Sequence, residues 1–338
     1  LLIKYCIAVS NYQIDNLLYK RILPKFEVIN KQKQEESMKD LGIKLIEIFC
    51  HIDDFNKVFI NQLQTHQLTD GTRKRIKPGS LNESEVMTIV IYFHLMRYRD
   101  FKHYYLFHVC KHMQGDFPGL VSYNRFVELM QKSLLPLAVY LKTRCMGKCT
   151  GISYVDSSHI KVCHIKRAHS HKVLKGLAKK GQCSIGWFFG LKLHFVINDK
   201  GEILDFVLTP GNVDDRHPLL GSNLLQKIYG KLYGDKGYIS QSLFEKLFID
   251  GIHLITKLRK NMKNSLMLLS DKILLRKRAL IESVCDELKN ICQIEHTRHR
   301  SQEGFIINLL SGLIAYSYLP KKPSLNLEMI DQSMALSF

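Results

Sequence analysis

The stretch that most constrains this chain runs from Lys231 to Tyr238 and reads Lys-Leu-Tyr-Gly-Asp-Lys-Gly-Tyr. A short apolar approach meets Gly234, and Asp235 is followed at once by Lys236 and Gly237, so a carboxylate is presented where a strand ends. Strand ends are where α/β folds put their chemistry. Taken alone, Gly-Asp-Lys-Gly also reads as a plain turn, because Asp and Gly are both turn formers. Two other acids have matching settings. Asp156 follows Ile152-Ser153-Tyr154-Val155 at the predicted end of a strand, and Glu282 sits inside a helical pattern from Leu274 to Asn290. Three carboxylates from three separated elements suit two hard divalent cations, Mg²⁺ or Mn²⁺. A metal pair roughly 3.5 to 4 Å apart clamps both the attacking and the leaving oxygen of a phosphoryl displacement. Phosphodiester chemistry is the expectation.

Composition narrows the partner. Lys and Arg outnumber Asp and Glu by 49 to 31, a formal charge of +18 spread along 338 residues, while 46% of residues are hydrophobic. That is a globular chain with room for about two domains and a surface suited to an acidic polymer, nucleic acid before membrane. The longest apolar run, Ile306 to Leu319, is interrupted by Asn308, Ser311 and Ser317 and falls short of the roughly 20 residues that span a bilayer. No transmembrane segment is expected. Leu1 to Ser10 has neither a basic leader nor a small-residue cleavage pattern, so no signal peptide is read. Nine irregularly spaced cysteines fit reduced thiols in a cytosolic compartment. Cys145, Cys149, Cys163 and His164 offer zinc-ligand types, but no Cys-x-x-Cys pair accompanies them.

In chain order, residues 1–37 end in the polar run Asn30 to Ser37 and read as an upstream extension outside the fold. A helical pattern begins after Met38 with Leu41, Leu45, Ile48 and Phe49. Residues 38–148 show helical periods, and a basic loop of Arg73, Lys74, Arg75 and Lys77 leads to Ser80 and Glu83 at capping-box spacing. Further helices cover Phe101 to His112 and begin again near Ser122, with Arg125 in the first turn. Short helices with basic connections predict a DNA-binding region of the helix-turn-helix kind, with Arg73, Lys74, Arg75 and Arg125 as DNA contacts. From Gly151 the period changes. The expected order is a strand ending at Asp156, a basic loop from Lys161 to Lys180, and a long strand from Trp187 to Ile197 with one apolar face. A hairpin turn at Asn198 to Gly201 leads to a strand from Ile203 to Leu208. Asp214-Asp215 then open a helix through about Ile228, followed by the Asp235 strand, a helix from Ser240, a strand from Ile252 to Leu258 and the Glu282 helix. The histidines of the basic loop, His164, His169 and His171, read as part of a phosphate-contacting segment more readily than as metal ligands. This order predicts a mixed five-stranded sheet flanked by helices and preceded by an all-α region.

That order of Asp, Asp and Glu resembles the RNase H-like fold of DDE transposases. Tyr154-Val155-Asp156-Ser157-Ser158, Thr209-Pro210-Gly211-Asn212, Gly234-Asp235-Lys236-Gly237-Tyr238 and the Glu282 helix, at spacings of 79 and then 47 residues, are similar to the insertion-sequence 982 family of bacterial transposases. The resemblance covers Met38 to about Leu319, and it implies an RNase H-like catalytic domain over residues 149–320 with a tail at 321–338. Arg278, Glu282 and Lys289 also match the Arg, Glu and Lys of a signature common to such enzymes, with Leu275 where that signature has Tyr. By resemblance Asp156, Asp235 and Glu282 are the catalytic metal ligands for two Mg²⁺ or Mn²⁺ ions, and Arg278 and Lys289 contact DNA. The implied activity is binding of double-stranded DNA at terminal inverted repeats, metal-dependent cleavage of the element ends and joining of 3′ ends to target DNA. A homo-oligomer on DNA, in a bacterial cytoplasm beside the nucleoid and without membrane, is implied with it. A plain nuclease on the same fold, and an inactive or domesticated DNA-binding remnant, are the alternative readings.

Overall fold

The computed structural model describes residues 40–63, 79–183, 186–258, 267–295 and 299–325. The basic loop of Arg73, Lys74, Arg75 and Lys77, and the extension at 1–37, lie outside the described residues. The chain divides into two units, Leu1–Asp54 and Phe55–Phe338. The first is helical over residues 40–54, part of a helix (α1) covering 40–63. The second holds the elements that follow.

α2 (Glu83–Leu95) starts at Asn82, whose side chain accepts from the Glu85 amide at 2.7 Å while Glu85 accepts from the Asn82 amide at 2.7 Å. The expected capping box is therefore present two residues later than Ser80 and Glu83, because Asn82 is the residue with extended dihedrals before the first turn. Asp100 caps α3 (residues 101–112) and Ser122 caps α4 (Tyr123–Lys132), which is followed by α5 (Leu134–Tyr140). Phe93, Phe101, Tyr104, Tyr105 and Phe126 pack ring against ring between these helices, with centroids 4.5 to 5.8 Å apart along Phe93–Tyr104, Phe93–Phe101, Phe101–Phe126 and Tyr105–Phe126. The apolar run near the C-terminus forms α10 (Gln302–Ser317), buried on most sides against α2, α4 and α5. A helix apolar all round belongs in a protein interior. Among the described residues no helix is long and apolar enough to cross a membrane.

The sheet has six strands: β1 (Ile152–Cys163), β2 (Lys179–Cys183), β3 (Gly186–Asn198), β4 (Ile203–Pro210), β5 (Gly230–Gly234) and β6 (Ile252–Thr256). β3 is antiparallel to β1 and to β4, while β5 and β6 run parallel to β1 and to each other. From β4 through β3, β1 and β5 to β6 this is the expected mixed five-stranded sheet flanked by helices. The sixth strand, β2, extends the same edge of β3 that β4 occupies, pairing from Lys179 with Gly190 to Cys183 with Gly186. It lies partly in the stretch expected to be a basic loop. Its glycine makes this possible, since a Cβ on Gly181 would sit 2.0 Å from the Gly211 carbonyl oxygen where β4 ends.

Three further expectations are corrected. β1 does not end at Asp156 but continues seven residues to Cys163, because β3 is long enough to pair with all of it. The helix expected from Asp214 to Ile228 is only α6 (His217–Gly221) and a 3₁₀ turn at Asn223–Leu225: Ser222 is extended, and its hydroxyl donates back to the Pro218 carbonyl at 2.5 Å. The pattern from Leu274 to Asn290 breaks into α8 (Leu269–Arg276) and α9 (Ala279–Asp286), with Arg278 at the break. β3 is covered on both faces along most of its length, one face apolar and the other carrying Lys192 and His194 between Phe188 and Val196. Val155, Val196 and Leu232 face α6 and α7 (Gln241–Ile249), whose Leu219, Leu243 and Leu247 complete a core. The opposite face carries the acids.

Candidate active site

Tyr154 of β1 pairs with Tyr233 of β5 in parallel register. Two residues further along each strand stand Asp156 and Asp235. The period-two alternation of extended backbone therefore aims both carboxylates to the face that bears the stacked Tyr154 and Tyr233 rings, whose centroids are 5.3 Å apart. Asp235 keeps extended dihedrals, φ −76° and ψ 170°, although strand pairing stops at Gly234. The paired Tyr-x-Asp of 154–156 and 233–235 is the sequence signal of this juxtaposition.

The tyrosines also seat the helix that brings the third acid. Tyr154 donates to the Leu274 carbonyl at 3.3 Å, and Tyr233 donates to buried Asp271 at 2.9 Å. Asp271 also takes Lys231 Nζ at 2.7 Å. With α8 fixed on the sheet, the break at Lys277 and Arg278 starts α9 beside Asp156. Arg278 Nη2 donates to Glu282 Oε1 at 2.8 Å and Nη1 reaches Asp156 Oδ2 at 3.4 Å. The structure thus brings together Asp156, Asp235, Glu282 and Arg278.

Electrostatics agree with this proximity. Burial lifts the Asp156 carboxyl to about 6; Arg278 and the Ser157 amide pull it back, while the charges of Asp235 and Glu282 push it further up. Carboxylate oxygens are the donors that Mg²⁺ and Mn²⁺ select, so the residue types fit such ions. Among the described residues no three His, Cys, Asp or Glu side chains already surround one point as a metal cluster would. Arg278 is the cation that balances Asp156 and Glu282.

On the reverse face a second polar group was not foreseen from sequence. His194, directly across from Ser157, is buried; its Nε2 meets Thr209 Oγ1 at 2.8 Å and its Nδ1 lies 4.0 Å from Asp215 Oδ1. Lys192 Nζ holds the same Asp215 oxygen at 2.9 Å. Tyr238 closes the turn after Asp235, its amide donating to the Asp235 carbonyl at 3.0 Å, and its buried ring packs on Gly234. Burial, then Asp156 and Asp215, hold its hydroxyl well above the usual range. The available signal was Lys192 and His194, two polar residues at strand spacing in an otherwise apolar run.

Asp156 and His194 oppose each other in pH. Asp156, raised from 3.8 to about 6, contributes stability that is present below about pH 4 and is lost as pH rises through 6. Burial chiefly lowers His194 from 6.5 to about 4, with Lys192 adding to the fall and Asp215 opposing it, so its contribution is present above pH 6.5 and is lost as pH falls through 4. Removing the first should unmask the second. In chelator, Asp156→Asn is expected to gain stability over the wild type near pH 7 and to show urea midpoints that climb more steeply from pH 4 to 6.5. Parallel profiles for the two proteins would contradict the assigned burial of Asp156.

The other residues expected to contact DNA lie as follows. Lys289, in a π-helical turn at Glu287–Ile291, donates to the His159 carbonyl at 2.9 Å and pairs with Glu295 at 3.4 Å, bracing α9 against β1. Arg125 is exposed on α4 and pairs with Glu128 at 2.6 Å. Arg73, Lys74 and Arg75 fall outside the described residues.

Residues 146–302 match the family model described as the transposase DDE domain. The match spans all six strands and all three acids, and it supports a DDE transposase, the coarse class to which the sheet and its acids point. The cryo-EM structure of the piggyBac transposase synaptic complex with hairpin DNA aligns with a TM-score of 0.45 and 11% identity, covering 86% of this chain and 77% of that one. None of the curated proteins matches the chain in sequence.

Proposed function

We propose that the protein is a metal-dependent DNA transposase of the insertion-sequence 982 kind, which binds terminal inverted repeats, cleaves the element ends and joins their 3′ ends to target DNA. The observation that carries this reading is the register of Asp156 and Asp235 on adjacent parallel strands, with Glu282 tied to Asp156 through Arg278, inside the region matching the transposase domain. Asp156, Asp235 and Glu282 would hold two Mg²⁺ or Mn²⁺ ions, and bound ions would supply charge neutralisation at the scissile phosphate and activation of the attacking oxygen. The chain's own residues do the positioning. The Tyr154 and Tyr233 pair sets the two aspartates side by side, Tyr238 closes the turn that presents Asp235, and Arg278 orients Glu282 towards Asp156. Residues 38–148 are assigned to DNA recognition.

Duplex binding is expected to be independent of metal but steeply weakened by salt, because a chain with a formal charge of +18 binds by releasing counterions, with log K falling about 0.9 per neutralised phosphate. Cleavage should still require metal. Titrating a duplex from 50 to 200 mM salt, with and without chelator, measures both; a flat salt response would remove the electrostatic basis of the reading. Cleavage of a duplex with no joining of its 3′ ends would favour the nuclease alternative.

A further inference from the structure

The part of β1 beyond Asp156, together with the start of β3, β2 and the end of β4, projects past the end of β5; Ser158 and His159 at its base brace the helix that carries Glu282, and the rest reaches beyond the acids. Against this extension the segment after β1 folds into a 3₁₀ helix at Ile165–Ser170 and returns as β2. A cavity of about 570 Å³ opens there, lined among others by His171, Lys172, Lys175, Lys179, Lys180 and Asn212. Its charge is one-sided. Residues 161–180 contain seven Lys and Arg and no Asp or Glu. Among the described residues no carboxylate lines the cavity and none of the four lysines has an ion-pair partner. All four are exposed.

Four unpaired ammonium groups around one concavity repel one another, so the arrangement favours a ligand that brings several negative charges. The walls are built, not a loose tail: His171 Nε2 accepts from the Leu174 amide at 3.2 Å, its ring meets Phe189 edge-on at 6.0 Å, and Gly211 sends Asn212 out beside β2. Placement decides which polyanion. Phe189 belongs to the same alternation along β3 as Phe195, the partner of Asp156, so the cavity opens on the face that carries the acids. Lys161, which pairs with Gly190 at the cavity's edge, stands five residues from Asp156, about 17 Å along the strand. Along a duplex that is roughly five base pairs.

We propose that this cavity is a second phosphodiester-binding site, gripping the backbone of the DNA about half a helical turn from the bond cut at Asp156, Asp235 and Glu282. The proposal rests on the transposase reading for its distance from the cut, but not for the binding itself. Its contacts are to phosphates, so they position the duplex without reading its sequence.

The test is duplex binding in chelator, where catalysis plays no part. A 20-base-pair duplex of arbitrary sequence is titrated against wild type, Lys179→Gln/Lys180→Gln, and the control Lys200→Gln/Lys227→Gln, which loses the same net charge elsewhere. The cavity variant is expected to flatten the slope of log K against log salt by about 1.8, and the control hardly at all. Equal shifts in the two variants would reduce the cavity to net charge alone, and no shift in either would overturn the site. Asp235→Asn, assayed separately with metal, reports on the transposase reading: loss of its cleavage and an unchanged salt slope in the cavity variant would sink the cavity while leaving that reading intact.

Discussion

Glu282→Gln is expected to abolish metal-dependent cleavage, by a factor of at least about 10³, while leaving duplex binding and the urea midpoint near the wild-type values. The helix around it is crowded with acids, and their positions separate them. Glu282 is tied by Arg278 to Asp156, and its charge raises Asp156. Asp286, one turn on, is exposed and takes Asn290 Nδ2 at 2.5 Å. Burial raises the Glu287 carboxyl, with the Asp286 charge adding and Lys322 opposing. Glu295 is occupied by Lys289 and the Lys161 amide. Gln is isosteric and keeps an oxygen for Arg278, so the loss should appear in cleavage and metal affinity and not in folding. Asp286→Asn should keep measurable cleavage. The reverse outcome would move the third metal carboxylate one turn along the helix.

Gly190→Ala should cost on the order of 3 kcal/mol of folding stability. A Cβ there would sit 2.0 Å from the Ile160 carbonyl oxygen and 3.2 Å from Lys161 Cα, next to the register shift between Lys161 and Cys163. Both contacts are backbone, held by strands on either side, and cannot swing away as a side chain would. Gly115→Ala is the matched control, since nothing lies within 4 Å of its added Cβ, and it should change stability by less than about 0.5 kcal/mol. Urea unfolding of the two variants provides the comparison; equal midpoints would mean that the strand extension has slack.

The three candidate acids stand out in the sequence because each lies where local pattern changes: Asp156 and Asp235 after short apolar approaches, Glu282 on an amphipathic stretch. The mixed character of the sheet followed from the order of strand and helix patterns along the chain. What the sequence hid was long-range. β1 runs past Asp156 because β3 offers it a partner, and in Ser157 to Cys163 only Ile160 and Val162 have side chains that favour a strand. The helix break at Arg278 is set by Tyr154 and Asp271 anchoring α8, contacts between residues more than 100 positions apart for Tyr154 and Leu274. Lys179, Lys180, Gly181 and Gln182 lack strand-forming side chains, and the first two fall within the stretch expected to be a loop; backbone pairing with Gly186 to Gly190 makes β2 a strand nonetheless. The His194 group shows the same limit, since a polar residue in a strand names no partner until Thr209 and Asp215 are folded against it.

The burial of α10 among α2, α4 and α5 has a consequence for how the chain is made. His94 donates to the Cys292 carbonyl at 2.5 Å, and the Tyr140 and Tyr318 hydroxyls meet at 2.5 Å. α2 is finished at Leu95, but the helix that seals it does not begin until Gln302. During synthesis the amino-terminal helices therefore leave the ribosome with an apolar groove open for the time it takes to translate more than 200 further residues, on the order of ten seconds or more. Chains cut short before α10 would keep that groove exposed, which marks them for chaperones and proteases.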